Sequence, residues 1–181
     1  MHKARQTQTH PAGSRIYDAG NPGQAWRVVS GAVRLDRCGP GVEPMFANLA
    51  VAGDVIGAET LLFQHYTFTA TALADCVLSP WPEGEGAPAG ESLLAALTAS
   101  ETRAADVVAL RCGQALDRVK RLIALLGPRP EAATLPSRRD MADITALTTE
   151  TVSRCISALR RAGMLPPDGQ RRGRPQLSHQ P

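Results

Sequence analysis

SRRDMADITALTTETVSRCISALRRAG, from Ser137 to Gly163, is the stretch whose spacing decides the C-terminal architecture. Ser137 stands three residues ahead of Asp140, the pattern of a capping box in which hydroxyl and acid satisfy the free amides of a helix start. Met141, Ala142, Ile144 and Thr145 follow, and a tight turn is expected at Ala146-Leu147. Thr148 then caps a second helix, predicted from Thr149 to about Ala162, with Glu150 favourably set against its dipole. Val152, Ile156 and Leu159 share one face of that helix and are expected to pack inward. Thr149, Glu150, Ser153, Arg154 and Ser157 fall on the other face. A short helix, a turn and a polar-faced second helix are the parts of a helix-turn-helix.

The polar face has the chemistry of a base reader. Arg154 can hold guanine O6 and N7 with two bonds, and Glu150 can accept from a cytosine amino group. Ser153 and Thr149 are short enough to reach a base edge, and the Thr149 methyl suits a thymine methyl. Ser137, Arg138, Arg139, Ser157, Arg160 and Arg161 are candidate phosphate contacts that would set the register, joined by Arg171 and Arg172 in the tail. The bland alternative is a solvated face with a Glu150–Arg154 pair one turn apart, worth roughly a few tenths of a kcal/mol. Charge distribution favours the first reading. From Thr134 to Pro181 eight Arg stand against four acids, so this end carries +4 and the rest −1 of the net +3. A basic end on a near-neutral body suggests a polyanion partner for that end only.

Working outward, Arg15–Tyr17, Ala25–Asp36, Glu43–Leu49 and Tyr66–Leu78 are short segments rich in Val, Thr, Ile and aromatics, separated by Gly/Pro turn clusters. Thr67 to Leu73 alternates polar and apolar side chains, the period of a half-buried strand. Several such strands predict a sandwich, roll or barrel. Pro80, Pro82 and the run from Glu83 to Pro88 then end the β-structure. From Gly90 to Leu126 the period changes. Leu97, Ala105, Val108, Cys112, Ala115, Val119 and Leu122 recur in steps of mostly three and four, predicting one long amphipathic helix closed by Gly127-Pro128. Its near-heptad stripe suits a coiled contact between two subunits, with packing onto the β-region as the alternative. Pro128, Pro130 and Pro136 make a stiff linker to the helix-turn-helix.

Several classes are disfavoured. Among 181 residues, 43% apolar and 20% charged, no run of eighteen apolar residues occurs, so no membrane-spanning helix is expected. The polar N-terminal segment carries no secretion signal, and a cytoplasmic location is expected. Cys38, Cys76, Cys112 and Cys155 are scattered, which argues against a disulfide framework and a thiolate metal site. Clustered His ligands, paired carboxylates and nucleophile motifs are missing from the sequence, so an enzyme is not expected.

Leu135 to Ala142, Leu147 to Arg154 and Leu159 to Leu165 resemble the helix-turn-helix signature of the Crp/Fnr family of bacterial transcription regulators. Gly13 to Tyr17, Val28 to Leu35 and Gly53 to Glu59 resemble that family's sensor domain, and the likeness covers about residues 11–170. It implies an α+β fold: an N-terminal β-roll (a double-stranded β-helix of the cyclic-nucleotide-binding kind) over residues 1–88, a long dimerisation helix over 89–127, and a winged helix-turn-helix with a short wing over 128–181. It also implies a homodimer on a palindromic operator, with double-stranded DNA and RNA polymerase as partners. Glu150, Ser153 and Arg154 resemble the Fnr branch, whose half-site is TTGAT, more than the Crp branch, which has Arg at the position of Thr149. A TTGA-type half-site is therefore expected. Two departures stand out. Ala146 takes the place of the usual turn glycine, and a left-handed residue there would cost about 1 kcal/mol. Pro166-Pro167 cannot donate to a ladder, so the wing before the Arg-rich tail is expected to be stunted.

Gly57, Ala58, Glu59 and Thr60, with Thr69 and Thr71, form the candidate effector pocket, because a helix start there could cup a phosphate. Cyclic-nucleotide binders of the family add an Arg shortly after, yet His65 to Ala72 contains neither Arg nor Lys. Tight cyclic-AMP binding is therefore not expected, and Gly57 and Glu59 are expected to shape and cap the turn. No Cys precedes Cys38, which disfavours an iron–sulfur sensor. No cofactor is predicted. Haem at His2, His10 or His65 stays open, as does thiol sensing at Cys112 or at Cys155, whose neighbour Arg154 would favour the thiolate. The alternative function is a small-molecule or redox-sensing module whose C-terminal domain mediates protein contacts.

Overall fold

The computed structural model describes residues 6–39, 42–82, 93–127 and 135–166. Among these, the β-structure comprises β1 (Gln8–His10), β2 (Arg15–Tyr17), β3 (Ala25–Ser30), β4 (Ala32–Gly39), β5 (Val42–Val51), β6 (Val55–Ile56), β7 (Thr69–Ala72) and β8 (Cys76–Trp81). Two four-stranded antiparallel sheets result, ordered β1-β8-β3-β6 and β2-β7-β4-β5. The two longest expected strands each divide: Gly31 separates β3 from β4, and residues 73–75 separate β7 from β8.

Side-chain alternation sorts the second sheet into two faces. Val33 and Leu35 of β4 pair with Ala72 and Ala70 of β7, and all four join Tyr17, Trp26, Val28, Tyr66 and Leu78 in the interior of the roll. Partners across a ladder share a face. Arg34 and Asp36, opposite Thr71 and Thr69, therefore face outward from the roll. On that side Ala32, Phe46, Leu49, Val51 and Leu73 continue into a second core formed with the helices.

The helices are α1 (Thr60–Phe63), α2 (Leu93–Ala109), α3 (Ala115–Leu125), α4 (Arg138–Thr145) and α5 (Thr149–Arg161). The single long helix expected through Leu126 is thus two helices. Gly113, at φ +85°, reverses the backbone in a way an L side chain resists. Arg121 stabilises the break by donating from Nη1 to the carbonyls of Ala109 and Cys112 at 2.9 and 3.0 Å. The apolar stripe divides at the same place. Leu97, Ala105, Val108 and Cys112 are exposed, whereas Val119 and Leu122 are fully buried in the core shared with α4 and α5, and Ala115 packs against it. Ala115, Val119 and Leu122 are therefore committed within the subunit and are removed from the dimer stripe. Met141, Ile144, Val152 and Ile156 are buried with them, each contributing about 1.5–3 kcal/mol of apolar transfer.

Candidate nucleic-acid interface

Both hydroxyl caps hold in α4 and α5, whereas the Asp140 carboxylate, expected to take up a free amide, accepts from the Ser137 hydroxyl and from Arg34 instead. The Ser137 hydroxyl accepts from the Asp140 amide at 3.0 Å and donates to Oδ2 of Asp140 at 2.6 Å. The Thr148 hydroxyl accepts from the Thr151 amide at 3.1 Å. Glu150 lies in the first turn of α5, Arg160 and Arg161 in its last, each sign matched to the helix dipole. Ala146 does occupy the left-handed region, at φ 52° and ψ 47°, and turns the chain from α4 into α5.

Packing then orients α5. Val152, Cys155, Ile156 and Leu159 are buried, while Thr149, Glu150, Ser153, Arg154 and Ser157 are exposed along the opposite side. Glu150 and Arg154 form an ion pair one turn apart, with side chains 72% and 77% exposed. Such a solvated pair is worth about 0.5 kcal/mol or less, so it holds both groups ready without locking them. Ser137, Arg139 and Arg161 are exposed at the helix ends, and Arg138 and Arg160 are half-buried. The wing, with Arg171 and Arg172, lies outside the described residues.

Cys155 is an ordinary buried thiol. It faces the core rather than the Arg154 guanidinium, and burial pushes its thiol above the usual range. Its surroundings disfavour the thiolate a sensor needs. Cys112 is exposed in the turn between α2 and α3.

The candidate effector residues do not come together. Gly57 to Thr60 form the turn into α1, where the Thr60 hydroxyl donates to the Gly57 carbonyl at 2.6 Å. Glu59 accepts from the amide and hydroxyl of Thr67 at 3.1 and 3.3 Å, the turn-shaping role expected for it. At Gly57, φ +70°, an added Cβ would lie 2.7 Å from the Tyr66 ring. Tyr66 in turn stacks on Tyr17 with centroids 3.6 Å apart and accepts from the Trp26 indole at 3.2 Å. Burial, with Glu59 and Tyr66 adding to it, pushes the Tyr17 hydroxyl well above its ordinary range. Thr69 and Thr71 stand on the outer face beside Asp36 and Arg34, away from this interior.

Sequence reasoning missed the polar joint between roll and reader. Arg34 of β4 bonds Asp140 and Asp143 of α4, each at 3.0 Å. Arg111 donates to the carbonyls of Ile144 and Asp143, and Arg118 to that of Thr145, occupying acceptors at the end of α4. Two acids one turn apart on a helix expected to approach a polyanion were the available signal.

A β-roll joined through helices to a capped helix-turn-helix with its polar face outward is the architecture of a DNA-binding regulator. Residues 7–85 match the family model of the cyclic nucleotide-binding domain, and residues 117–174 that of the Crp-like helix-turn-helix domain. The chain belongs to the Crp/Fnr family of transcription regulators, which are not enzymes. Among solved structures it is similar to FixK2 from Bradyrhizobium japonicum, with 29% identity, a TM-score of 0.63 and coverage of 93% of this chain and 91% of that one. It is also similar to a Crp/Fnr-family transcriptional regulator from Thermus thermophilus, at 25% identity, TM-score 0.62 and 87% coverage of both chains. A second Thermus thermophilus regulator of the CRP family shares the fold at 24% identity, TM-score 0.63, and 86% and 85% coverage. Comparison with curated proteins finds no match. Among the described residues, no helix is long and apolar enough to cross a membrane.

Proposed function

We propose that the chain acts as a homodimer that reads a palindromic, TTGA-type operator and works with RNA polymerase in the cytoplasm, without dependence on cyclic AMP. Thr149, Glu150, Ser153 and Arg154 read bases. Ser137, Arg138, Arg139, Ser157, Arg160 and Arg161, with Arg171 and Arg172 of the tail, hold phosphate. The observation that carries this reading is the division of α5: its acid, hydroxyl and guanidinium groups are exposed while its aliphatic side is sealed in the core. Dimer formation is supported by α2, which leaves Leu94, Leu97 and Val108 between 55% and 70% exposed on a near-heptad spacing. Independence from cyclic AMP is supported by the lack of Arg or Lys from His65 to Ala72 and by the Tyr66 ring packed against Gly57.

Selection of bound sequences from a random DNA pool tests the reading directly. A palindrome of TTGA-type half-sites is expected. Arg154→Ala should then lose about 1–3 kcal/mol and relax preference at one guanine. Identical binding of parent and variant to selected and random DNA would refute the function, and a micromolar calorimetric titration with cyclic AMP would refute the independence.

A further inference from the structure

A single guanidinium gathers carboxylates from both parts of the molecule. Arg34 is 8% exposed. Its Nε donates to both oxygens of Asp36, at 2.8 and 3.0 Å, and its Nη1 donates to Asp140 Oδ1 and Asp143 Oδ2. Asp36 lies on the same strand, whereas the other two acids stand 106 and 109 residues further along, on the first helix of the reader. The Phe46 ring lies under this cluster, with the Arg34 and Arg111 guanidinium carbons 5.8 and 5.2 Å from its centroid. Arg111 also holds the last carbonyls of α4. Arg34 of β4 thus grips α4 along its side, while Arg111, from the turn between α2 and α3, holds its end.

The grip bears on aim. In a helix-turn-helix the first helix crosses the DNA backbone and fixes how the second enters the groove. Ser137, Arg138 and Arg139 begin α4, and Asp140 and Asp143 follow on it. Paired to Arg34, those acids become anchor points instead of repelling phosphate. We propose that Arg34 is a positioning residue for DNA reading: by clamping Asp140 and Asp143 it fixes the orientation of α5 relative to α2, and with it the half-site separation a dimer tolerates. This rests on the DNA-reading function proposed above.

Asp36 is itself buried at 6% exposure, so removing Arg34 strands a buried charge and endangers the fold. Asp140 also holds the hydroxyl of Ser137, the cap of α4. Asp143, with a side chain 44% exposed, is the partner to change. Fluorescence anisotropy of the full chain is measured on operators carrying the selected half-sites at the parent spacing, and with one or two base pairs added or removed. A parent that fails to prefer the selected operator over scrambled DNA would sink the reading function and the clamp's role with it. Given that preference, Asp143→Ala is expected to lose about tenfold at the parent spacing and to depend less steeply on spacing. Its guanine preference and thermal midpoint stay as in the parent. Deleting an acid beside phosphate should by charge alone tighten binding, so the loss reports aim. Asp143→Glu should recover most of it. Operator affinity equal to or above the parent's in Asp143→Ala, with unchanged spacing dependence, would overturn the proposal.

Discussion

Replacing Ala146 with glycine should stabilise the reader. Ala146 holds φ 52° and ψ 47°, where the Cβ of an L-residue crowds the following carbonyl at a cost of about 1–2 kcal/mol. The residue is exposed, so deleting its methyl forfeits little buried surface. The Ala146 amide donates to the Ala142 carbonyl, as does the Leu147 amide at 3.0 Å, and glycine keeps both bonds. Opposing the relief is the greater freedom of glycine in the unfolded chain, about 0.4–1 kcal/mol. The difference leaves a net gain of about 0.5–1 kcal/mol. For a chain of this size that is a rise of about 1–4 °C in the unfolding midpoint. Urea and thermal unfolding followed by circular dichroism, at one protein concentration, measure it. Ala146→Val supplies the opposite sign, because a β-branched side chain fits positive φ worse than alanine does, and should lose at least about 1 kcal/mol. A glycine variant no more stable than the parent, beside a valine variant that loses nothing, would refute the strained turn.

The broken helix gives two contrasting outcomes. Leu122→Ala opens a cavity in the core between α3 and α5 and should cost about 2–5 kcal/mol in urea unfolding. Leu97→Arg, on the exposed stripe of α2, should leave subunit folding nearly unchanged yet shift the sedimentation coefficient from dimer to monomer; a stable dimer in that variant would remove α2 from the interface. Alkaline stability follows from burial, which raises the Cys76 and Cys155 thiols and, with Glu59 and Tyr66, the Tyr17 hydroxyl above their ordinary values. Groups raised in the folded state give stability that is intact below the unfolded thiol value of about 8.5 and is lost as pH rises through the folded values. Urea midpoints should therefore fall between pH 8 and 10, and an unchanged midpoint would contradict the shifts. At neutral pH a thiol reagent should label exposed Cys112 first, and Cys76 and Cys155 only on unfolding.

What the sequence made legible was whatever depends on near neighbours. Ser137 and Thr148 meet amides three residues away, so both caps, the turn and the polar face of α5 could be read from spacing alone. Periodicity says which residues share a face but not what covers that face. The apolar positions step from Val108 through Cys112 and Ala115 to Val119 without losing phase, so the pattern hid a change of partner that only the reversal at Gly113 makes; Val108 is 64% exposed and Val119 is not exposed at all. The same limit operates in the sheet. Alternation through Thr69 and Thr71 was plain, but their face is the outer one, decided by the pairing of Ala70 and Ala72 with Leu35 and Val33. Arg34 and Asp36 share that outer face, and nothing in their local spacing tells that α4 returns to cover them. The base-reading face proposed for α5 is thus written locally, whereas the joint proposed to aim it is a contact between residues more than a hundred positions apart. Under these proposals a variant series confined to the exposed face of α5 should change which bases are read, whereas Asp143→Ala at the Arg34 joint should alter where along the duplex the two readings fall.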